Sequence, residues 1–406
     1  MDQKTVKIAK KIQNAGGKLY LVGGAVRDEL LNRPVKDRDF CVVGIDEEEF
    51  QKLFPEAKKR GKAFPVYEIE KEEYALARKE WKCGIGHTGF EVISNKDITI
   101  EEDLARRDIT INAMAQEIIT GKIIDPFYGQ EDLKNKKIRA IKNNFIEDPL
   151  RVYRVARLAS VLEFEVDDET IEKIKKMKKE LGSVAKERIG TEFTEALSSS
   201  KPSVFFEVLK KADVLEVHFK EIADLIGSIQ PIKYHPEGDS YAHTMQALDI
   251  SAKYTKNLCI RFSVLVHDLG KGITPKEEYP HHYGHDRKGV PLVATLGNRI
   301  GIPQKWITCG KTAAKLHMKA GIFFKMTAKK QVDFLEECGH SPLGWEGMKI
   351  VVIADKNEQE EVTFPEIGEK CFKAINGNDI MEKYPKLKGK KIGEKVREER
   401  ILWMKK

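Results

Sequence analysis

In the segment KDRDFCVVG, Asp37 and Asp39 stand two residues apart at the start of an apolar run. In an extended strand, residues i and i+2 point to one face with Cα atoms about 6.5 Å apart. Two carboxylates so placed repel each other unless a cation sits between them. That arrangement holds Mg²⁺ for phosphoryl transfer, with waters and substrate phosphates completing the octahedron. The metal then activates an attacking hydroxyl and neutralises charge on a leaving pyrophosphate. An isolated D-x-D pair is ordinarily a solvated loop, but this one follows Gly23-Gly24-Ala25-Val26-Arg27-Asp28. The glycines lack the G-x-G-x-x-G spacing of a dinucleotide site. Two glycines at a strand-to-helix turn let a phosphate approach the backbone, and Arg27, one turn on, suits a triphosphate. Glu73, opening the apolar run EYALAR, is the candidate third carboxylate. An exposed glutamate at a strand end accounts for it equally well.

A second group of polar residues follows. In DLARRDITINA, the adjacent Arg106 and Arg107 are not expected to face one site together. One is expected to take a phosphate or ribose while the other pairs structurally. In EDPLRVYR, Pro149 is predicted just inside a helix start, and Asp148 and Arg151, three apart, share one helical face. Together they offer acceptors and a forked donor that match the hydrogen-bonding edge of a base. A capping aspartate with an i, i+3 salt bridge explains the same residues.

The third group is a run of histidines: His243, then His267-Asp268, then His281, His282 and His285, then His317. Seven of the ten histidines fall between His235 and His317, a crowding that a purely structural helical region does not need. His267-Asp268 follows the apolar run IRFSVLV, which would bury the pair at a helix end. Imidazole and carboxylate together suit a borderline transition metal, whose bound water is a nucleophile toward phosphate esters. With Asp355 closing VIAD, the spacing resembles the H…HD…D pattern of the HD phosphohydrolases.

Several elements must position these groups. KLYLV reads as a buried strand running into the glycine turn, AVRDELLN as helix, and DRDFCVVG, EEYALAR and ITGKIIDPF as further strands. From about Asn143 helical spacing dominates to the end, and a proline- and glycine-bearing stretch near residue 230 marks a boundary. The tail, KLKGKKIGEKVREERILWMKK, reads as a basic loop (Lys386–Lys391) and an amphipathic helix. A chain of 406 residues calls for two to three domains. With 41% hydrophobic and 33% charged residues it is neither disordered nor fibrous, and no stretch approaches a membrane span. The N-terminus lacks the apolar core of a secretory signal, so cytoplasmic residence is the expectation. The six scattered cysteines form no C-x-x-C pair and are expected to be reduced thiols. A net charge of +7 is compatible with a polyanionic partner without requiring one.

The order of GGAVRD, DRD, LARRDITINA, DPFYGQEDL, EDPLRVYRVAR and ERIGTEF resembles the class II tRNA nucleotidyltransferases and their relatives, the bacterial poly(A) polymerases. LVGGAVRDELLNRPVKDRDF and EEYALARKEWKCGIGHTGFE look especially like the CCA-adding enzymes of gamma-proteobacteria. The resemblance implies an α+β protein: a polymerase-beta-like head (1–142), then an all-helical neck (143–229), HD body (230–370) and tail (371–406). It implies that Gly24 and Arg27 bind the triphosphate, that Asp37 and Asp39 bind Mg²⁺, and that Arg107, Arg151 and Arg154 contact CTP or ATP. Glu147, Asp148 and Arg151 would serve as an amino-acid template, so that tRNA receives its 3′-terminal CCA without a nucleic-acid one. The HD part would hold a transition metal, nickel by preference, on His243, His267, Asp268 and Asp355, and hydrolyse 2′,3′-cyclic nucleotides and phosphate monoesters. The chain departs from these relatives after Asp355, where Lys356-Asn357-Glu358 replaces a glycine-arginine pair. A basic helical body would grip RNA through phosphate and shape contacts, as a monomer or a homodimer. Two other readings compete: a poly(A) polymerase or an enzyme adding only CC or only A, and an inactive tRNA-binding scaffold. The attached histidine domain argues against a poly(A) polymerase, and the paired carboxylates argue against a scaffold.

Overall fold

The computed structural model describes residues 2–60, 65–82, 90–141, 143–233, 238–358 and 362–406. Cys83 and His235 lie outside the described residues, as does residue 142 at the expected end of the head. By contacts the chain divides into two units, Met1–Val184 and Ala185–Lys406.

The first unit begins with α1 (Gln3–Asn14), β1 (Lys18–Val22), α2 (Gly24–Leu30), β2 (Asp39–Val43) and α3 (Glu47–Leu53). Next come β3 (Lys58–Arg60), β4 (Val66–Ile69), β5 (Glu72–Leu76), β6 (Lys79–Lys82) and β7 (Phe90–Ile93). After them run α4 (Ile100–Ala105), β8 (Ala115–Glu117), β9 (Ile123–Ile124), α5 (Gly129–Lys134) and β10 (Lys137–Ile138). It closes with α6 (Leu150–Leu162), β11 (Glu165–Val166) and α7 (Asp168–Lys176). Among the described residues the main sheet has the order β3-β4-β5-β2-β1-β8-β9, with β2 and β5 parallel and the other neighbours antiparallel.

The central strands are apolar on both faces because both are covered. Tyr20, Val22 and Cys41 join Ile98, Ile100 and Leu104 in one core cluster. Phe40 stacks on Tyr74 with ring centroids 4.9 Å apart, and Tyr67 packs on Phe50 of α3 at 4.8 Å.

Two elements start later than the sequence suggests. The second strand begins at Asp39, leaving Asp37 in an irregular stretch ahead of it. Val22 is the last partner β1 can offer, opposite Asp39, before Gly23 turns the chain away. Likewise α6 begins at Leu150, with Pro149 just before it, because the Asp148 carboxylate accepts the Leu150 amide hydrogen. Of ITGKIIDPF only Ile123–Ile124 is strand.

The second unit is helical: α8 (Lys186–Leu197), α9 (Ser203–Lys211), α10 (Leu215–Ala223), α11 (Ser240–Tyr254), α12 (Leu258–Val266) and α13 (His285–Arg299). It continues through α14 (Gln304–Gly321), α15 (Ala328–Gly339), α16 (Gly344–Asp355), α17 (Phe364–Ala374), α18 (Gly377–Lys383) and α19 (Lys390–Trp403). The whole is therefore α+β, as expected: a mixed sheet in the first unit and helices in the second. No helix among the described residues is long and apolar enough to cross a membrane. Cys41, Cys259, Cys309, Cys338 and Cys371 are free and buried.

The middle of the second unit is α12, which is apolar nearly all round and buried. Its one cation, Arg261, is buried too, and donates to the carbonyl oxygens of Leu197, Ser199, Ala252 and Thr255 at 2.7–3.0 Å. A guanidinium that spends four of its five N–H donors in this way fixes α12 against the ends of α8 and α11, whose carbonyls need donors. The turn after α12 then meets the start of α13 at Gly270. A Cβ there would lie 2.0 Å from the His285 carbonyl oxygen and 2.8 Å from the Gly289 nitrogen.

Backbone cannot retreat as a flexible side chain can, so Gly270→Ala is expected to cost about 2 kcal/mol or more. Gly393→Ala, inside exposed α19 with open space around it, is expected to be neutral or stabilising by about 0.5 kcal/mol. Calorimetric melting of the two variants checks this; equal melting temperatures would show that the Gly270 contact relaxes freely.

Candidate active sites

The register of the main sheet sets the first site. Asp39 opens β2 and pairs with Glu73 of the parallel β5. Glu73, the weakest of the sequence-based candidates, thus stands directly beside Asp39. Asp37 reaches the same cleft from the stretch before β2, and the three acids line one cavity with Arg38 and Glu72. All three are exposed, so a substrate can reach them. Crowding by the surrounding protein raises the Asp39 carboxyl above its ordinary value; Arg107 opposes the shift and Asp37 adds to it. Repulsion among clustered acids is relieved by a divalent ion, and oxygen donors of this kind fit Mg²⁺.

Next to this cavity a basic one is lined by Gly23, Gly24, Asp39, Arg78, Arg106, Arg107, Asp108, Asn112, Asp148, Arg151 and Arg154. Asp39 belongs to both, so the acids and the arginines share a border. The glycine turn has a specific reason: Gly23 has φ +71°, and a Cβ there would lie 2.8 Å from Nη1 of Arg107. The guanidinium therefore packs directly on the turn.

Both Arg106 and Arg107 line this cavity, against the expectation that only one would. The cause is Asp103, buried three and four residues earlier at the end of α4. It accepts from Arg106 Nε at 2.9 Å and from Arg107 Nη2 at 3.2 Å. Arg107 Nε, itself buried, has no hydrogen-bond partner among the described residues. Asp108, also buried, accepts from Arg154 Nε at 2.8 Å and from the Ile109 amide. Burial alone would raise both carboxyls, but the adjacent arginines hold them below the ordinary carboxylate value.

Two arginines are more occupied than their sequence context suggests. Arg27 is bidentate on its neighbour Asp28, at 2.9 and 3.1 Å, and donates to Asn112 Oδ1 at 2.7 Å. It does not line the basic cavity. Arg151 donates to the carbonyl oxygens of Asn144 and Arg106, which ties α6 to the segment after α4. Glu147 ends the short 3₁₀ turn Asn143–Glu147 before α6 and also lies outside that cavity's lining. Asp103, Asp108, Arg78 and Asn112 were missed as site residues, although the i, i+3 and i, i+4 spacing of Asp103 to the arginines was readable.

The second site lies in the helical unit. His243 comes from α11, His267 and Asp268 from the turn after α12, and Asp355 ends α16. His243 Nε2 and His267 Nε2 lie 3.2 and 3.4 Å from Asp355 Oδ1, and His267 Nε2 lies 3.3 Å from Asp268 Oδ2. One ligand atom from each of the four falls within 4.8 Å of the others, a spread that one ion can span. The fit to a metal shows in what is left over: among the described residues, His267 Nε2 and both Asp268 oxygens are buried without a well-formed hydrogen bond, although Lys271 Nζ lies 2.5 Å from Asp268 Oδ2. Buried polar atoms without partners are costly. Burial lowers the His267 pKa, but Asp268 and Asp355 outweigh it and push it up to about 10, so the two carboxylates favour positive charge at this position. Of the other histidines, His282 turns away to Thr274 Oγ1 and the Ile229 carbonyl, each at 3.0 Å. His285 and His317 face Asp268.

Residues 19–139 match the poly A polymerase head domain, and residues 163–226 match the probable RNA- and SrmB-binding site of polymerase A. A multifunctional CCA protein of Pseudoalteromonas atlantica is 38% identical over 400 residues, covering 94% of this chain and 98% of that protein. A CCA-adding enzyme in complex with ATP shares the fold with a TM-score of 0.67 at 19% identity, over 100% of this chain and 90% of that one. The Thermotoga maritima CCA-adding enzyme complexed with tRNA gives a TM-score of 0.66 at 18% identity, over 100% and 92%.

The Asp103 pairing has a pH signature. Its folded-state pKa lies below the unfolded value, so the unfolded chain takes up the proton first as pH falls. The stability it contributes is complete above about pH 4 and is lost progressively below it. Asp103→Asn is expected to cost about 3 kcal/mol at neutral pH and to flatten the acid limb of stability in urea titrations. Unchanged stability at both pH values would show that something else holds the two arginines.

Proposed function

The chain belongs to the family of the multifunctional CCA proteins, the CCA-adding tRNA nucleotidyltransferases, and from that premise we propose that it builds and repairs the 3′-terminal CCA of tRNA. CTP and ATP are the donors, pyrophosphate is released, and no nucleic-acid template is used. The single observation that carries this reading is the register of Asp39 with Glu73, with Asp37 alongside, at the border of an arginine-lined cavity.

In this reading Asp37 and Asp39 hold Mg²⁺, with Glu73 as the third acid beside them. When bound, the ions activate the tRNA 3′-hydroxyl and neutralise the departing pyrophosphate. The open backbone at Gly24 receives the triphosphate. Arg27 reaches it by exchanging Asn112 and Asp28 for phosphate oxygens, a swap of one charge-assisted set for another. Arg107, packed on the glycine turn with a buried Nε–H that has no partner among the described residues, and Arg154, anchored on Asp108, contact the nucleotide. Glu147, Asp148 and Arg151 present donors and acceptors to the base. Arg151 must first release its two backbone carbonyls, which couples base choice to a movement between α6 and the segment after α4.

The helical unit we read as a phosphohydrolase of the HD type, with 2′,3′-cyclic phosphodiesterase, 2′-nucleotidase and phosphatase activity. His243, His267, Asp268 and Asp355 would hold a transition metal, Ni²⁺ by the softness of two imidazoles. When bound, the metal supplies Lewis acidity toward a phosphate ester. Lys271, held by Gln230 at 2.6 Å and beside Asp268, places a cation where a phosphate would enter. The division into head (1–142), neck (143–229), HD body (230–370) and tail (371–406) goes with this reading, as does work on tRNA in the cytoplasm.

The test is to incubate the protein with tRNA transcripts ending at position 73, 74 or 75, with CTP, ATP and Mg²⁺, and to size the products. Completion to CCA followed by a stop is expected. Long A tails, or addition of C or A alone, would assign the chain to a specialist polymerase. No addition to any transcript would leave only a tRNA-binding scaffold.

A further inference from the structure

His281 and Tyr283 stand on the short loop before α13, and neither site described above uses them. Their rings stack on each other, with centroids 5.7 Å apart and planes 26° from parallel. Both side chains are exposed, Tyr283 at 71%. We propose that this aromatic pair is a platform for a nucleobase, which makes the helical unit selective for nucleotides over other phosphate esters. The proposal rests on the reading of that unit as a phosphohydrolase.

The residue between the two rings fixes the loop beside the buried centre. His282 Nε2 lies 3.0 Å from the Ile229 carbonyl oxygen, and its Nδ1 lies 3.0 Å from Thr274 Oγ1. A carbonyl can only accept, so Nε2 carries the hydrogen and Nδ1 accepts from the threonine hydroxyl. The His282 carbonyl oxygen in turn accepts from His285 Nδ1 at 2.7 Å, and His285 Nε2 lies 3.3 Å from Asp268 Oδ1. Tyr283 is therefore two residues, at most about 7 Å of chain, from a side chain that faces Asp268. A ribose bridges a gap of that order.

The segments that hold His282 also turn apolar side chains outward. Ile229, and Ile273 just before Thr274, are 55% and 47% exposed. With Tyr283 they give each of the three segments meeting at His282 a large apolar group in water. Exposed apolar groups gathered in one place mark a binding surface. What binds there is set by the charge next to it. Lys271, buried, holds its ammonium 2.5 Å from Asp268 Oδ2, a fixed cation for an anionic head. An anionic head joined to a flat apolar body describes a nucleotide, with its phosphate toward Lys271 and its base on Tyr283. Every base has a π face, so the platform selects nucleotides as a class rather than one base. A free nucleotide and the terminal nucleotide of an RNA present the same groups.

The first experiment follows the fluorescence of 2-aminopurine riboside 3′-monophosphate, which falls when the base stacks, on addition of the full chain. Quenching is expected with the parent chain and with Tyr283→Phe, and its loss with Tyr283→Ala. The second loads the full chain with Ni²⁺ and compares 2′,3′-cyclic AMP with glycerol 1,2-cyclic phosphate, which has no base. The ratio of their kcat/KM values is expected to fall about tenfold in Tyr283→Ala, with KM for the nucleotide carrying the change. The same loss on a short RNA ending in a 2′,3′-cyclic phosphate extends the platform to chain ends; a loss confined to cyclic AMP restricts it to free nucleotides. Quenching that Tyr283→Ala leaves untouched, or a ratio it does not move, overturns the platform while leaving the hydrolase. Hydrolysis of none of these esters removes the phosphohydrolase reading, and the quenching then decides the platform alone.

Discussion

A carboxylate removed from water must be given a cation, and the architecture around both sites follows from that requirement. In the first unit Asp103 and Asp108 are buried, and each holds arginines: Arg106 and Arg107 on one, Arg154 on the other. The arginines are paired from behind, so their guanidiniums stay in place at the cavity wall, and Arg107 Nε has no hydrogen-bond partner among the described residues. A pocket for a triphosphate needs fixed positive charge, and fixed charge comes from acids the solvent never sees. In the second unit Asp268 is the buried acid, and its neighbours are four histidine nitrogens and Lys271. There the imidazoles of His267, His285 and His317 are anchored through Nδ1 to main-chain carbonyls, which turns Nε2 toward the carboxylate.

The same principle is used with different donors, and the donors separate the two chemistries. The acid cleft of β2 and β5 offers oxygen alone, is open to solvent, and matches a hard ion that keeps its waters. The histidine cluster is closed, rich in nitrogen, and matches a softer ion held tightly. A nucleotidyltransferase must bind and release a metal with each triphosphate, whereas a hydrolase works with a resident one. Exposure of Asp37, Asp39 and Glu73, against burial of His243, His267 and Asp268, fits that division.

Much of this was legible in the sequence. The strand-turn-helix of KLYLVGGAVRDEL and the helical remainder follow from apolar periodicity and glycine placement, and the α+β class from the family resemblance. The H…HD…D spacing singled out four residues that the helices do gather. What was not legible is what depends on neighbours in space. That Glu73 stands beside Asp39 is a matter of parallel register, fixed by how β1 and β5 flank β2. That Asp37 precedes the strand follows from β1 running out of partners at Val22. That both arginines of the LARRD segment face one cavity comes from the burial of Asp103, which a charged residue in a helical pattern does not announce. His285 and His317 were visible as histidines, but their joint approach to one oxygen of Asp268 is set by Gly270.

The central claim is that Asp39, beside Asp37 and Glu73, forms the acid cleft in which the tRNA 3′-hydroxyl is activated. The most direct measurement is single-turnover incorporation of CMP into a tRNA ending at position 73, comparing Asp39→Asn with the parent chain. Asparagine keeps the shape and removes the charge. Loss of about 4 kcal/mol of transition-state stabilisation, roughly a thousandfold in rate with tRNA affinity unchanged, is the expected result. Incorporation at the parental rate would contradict the account.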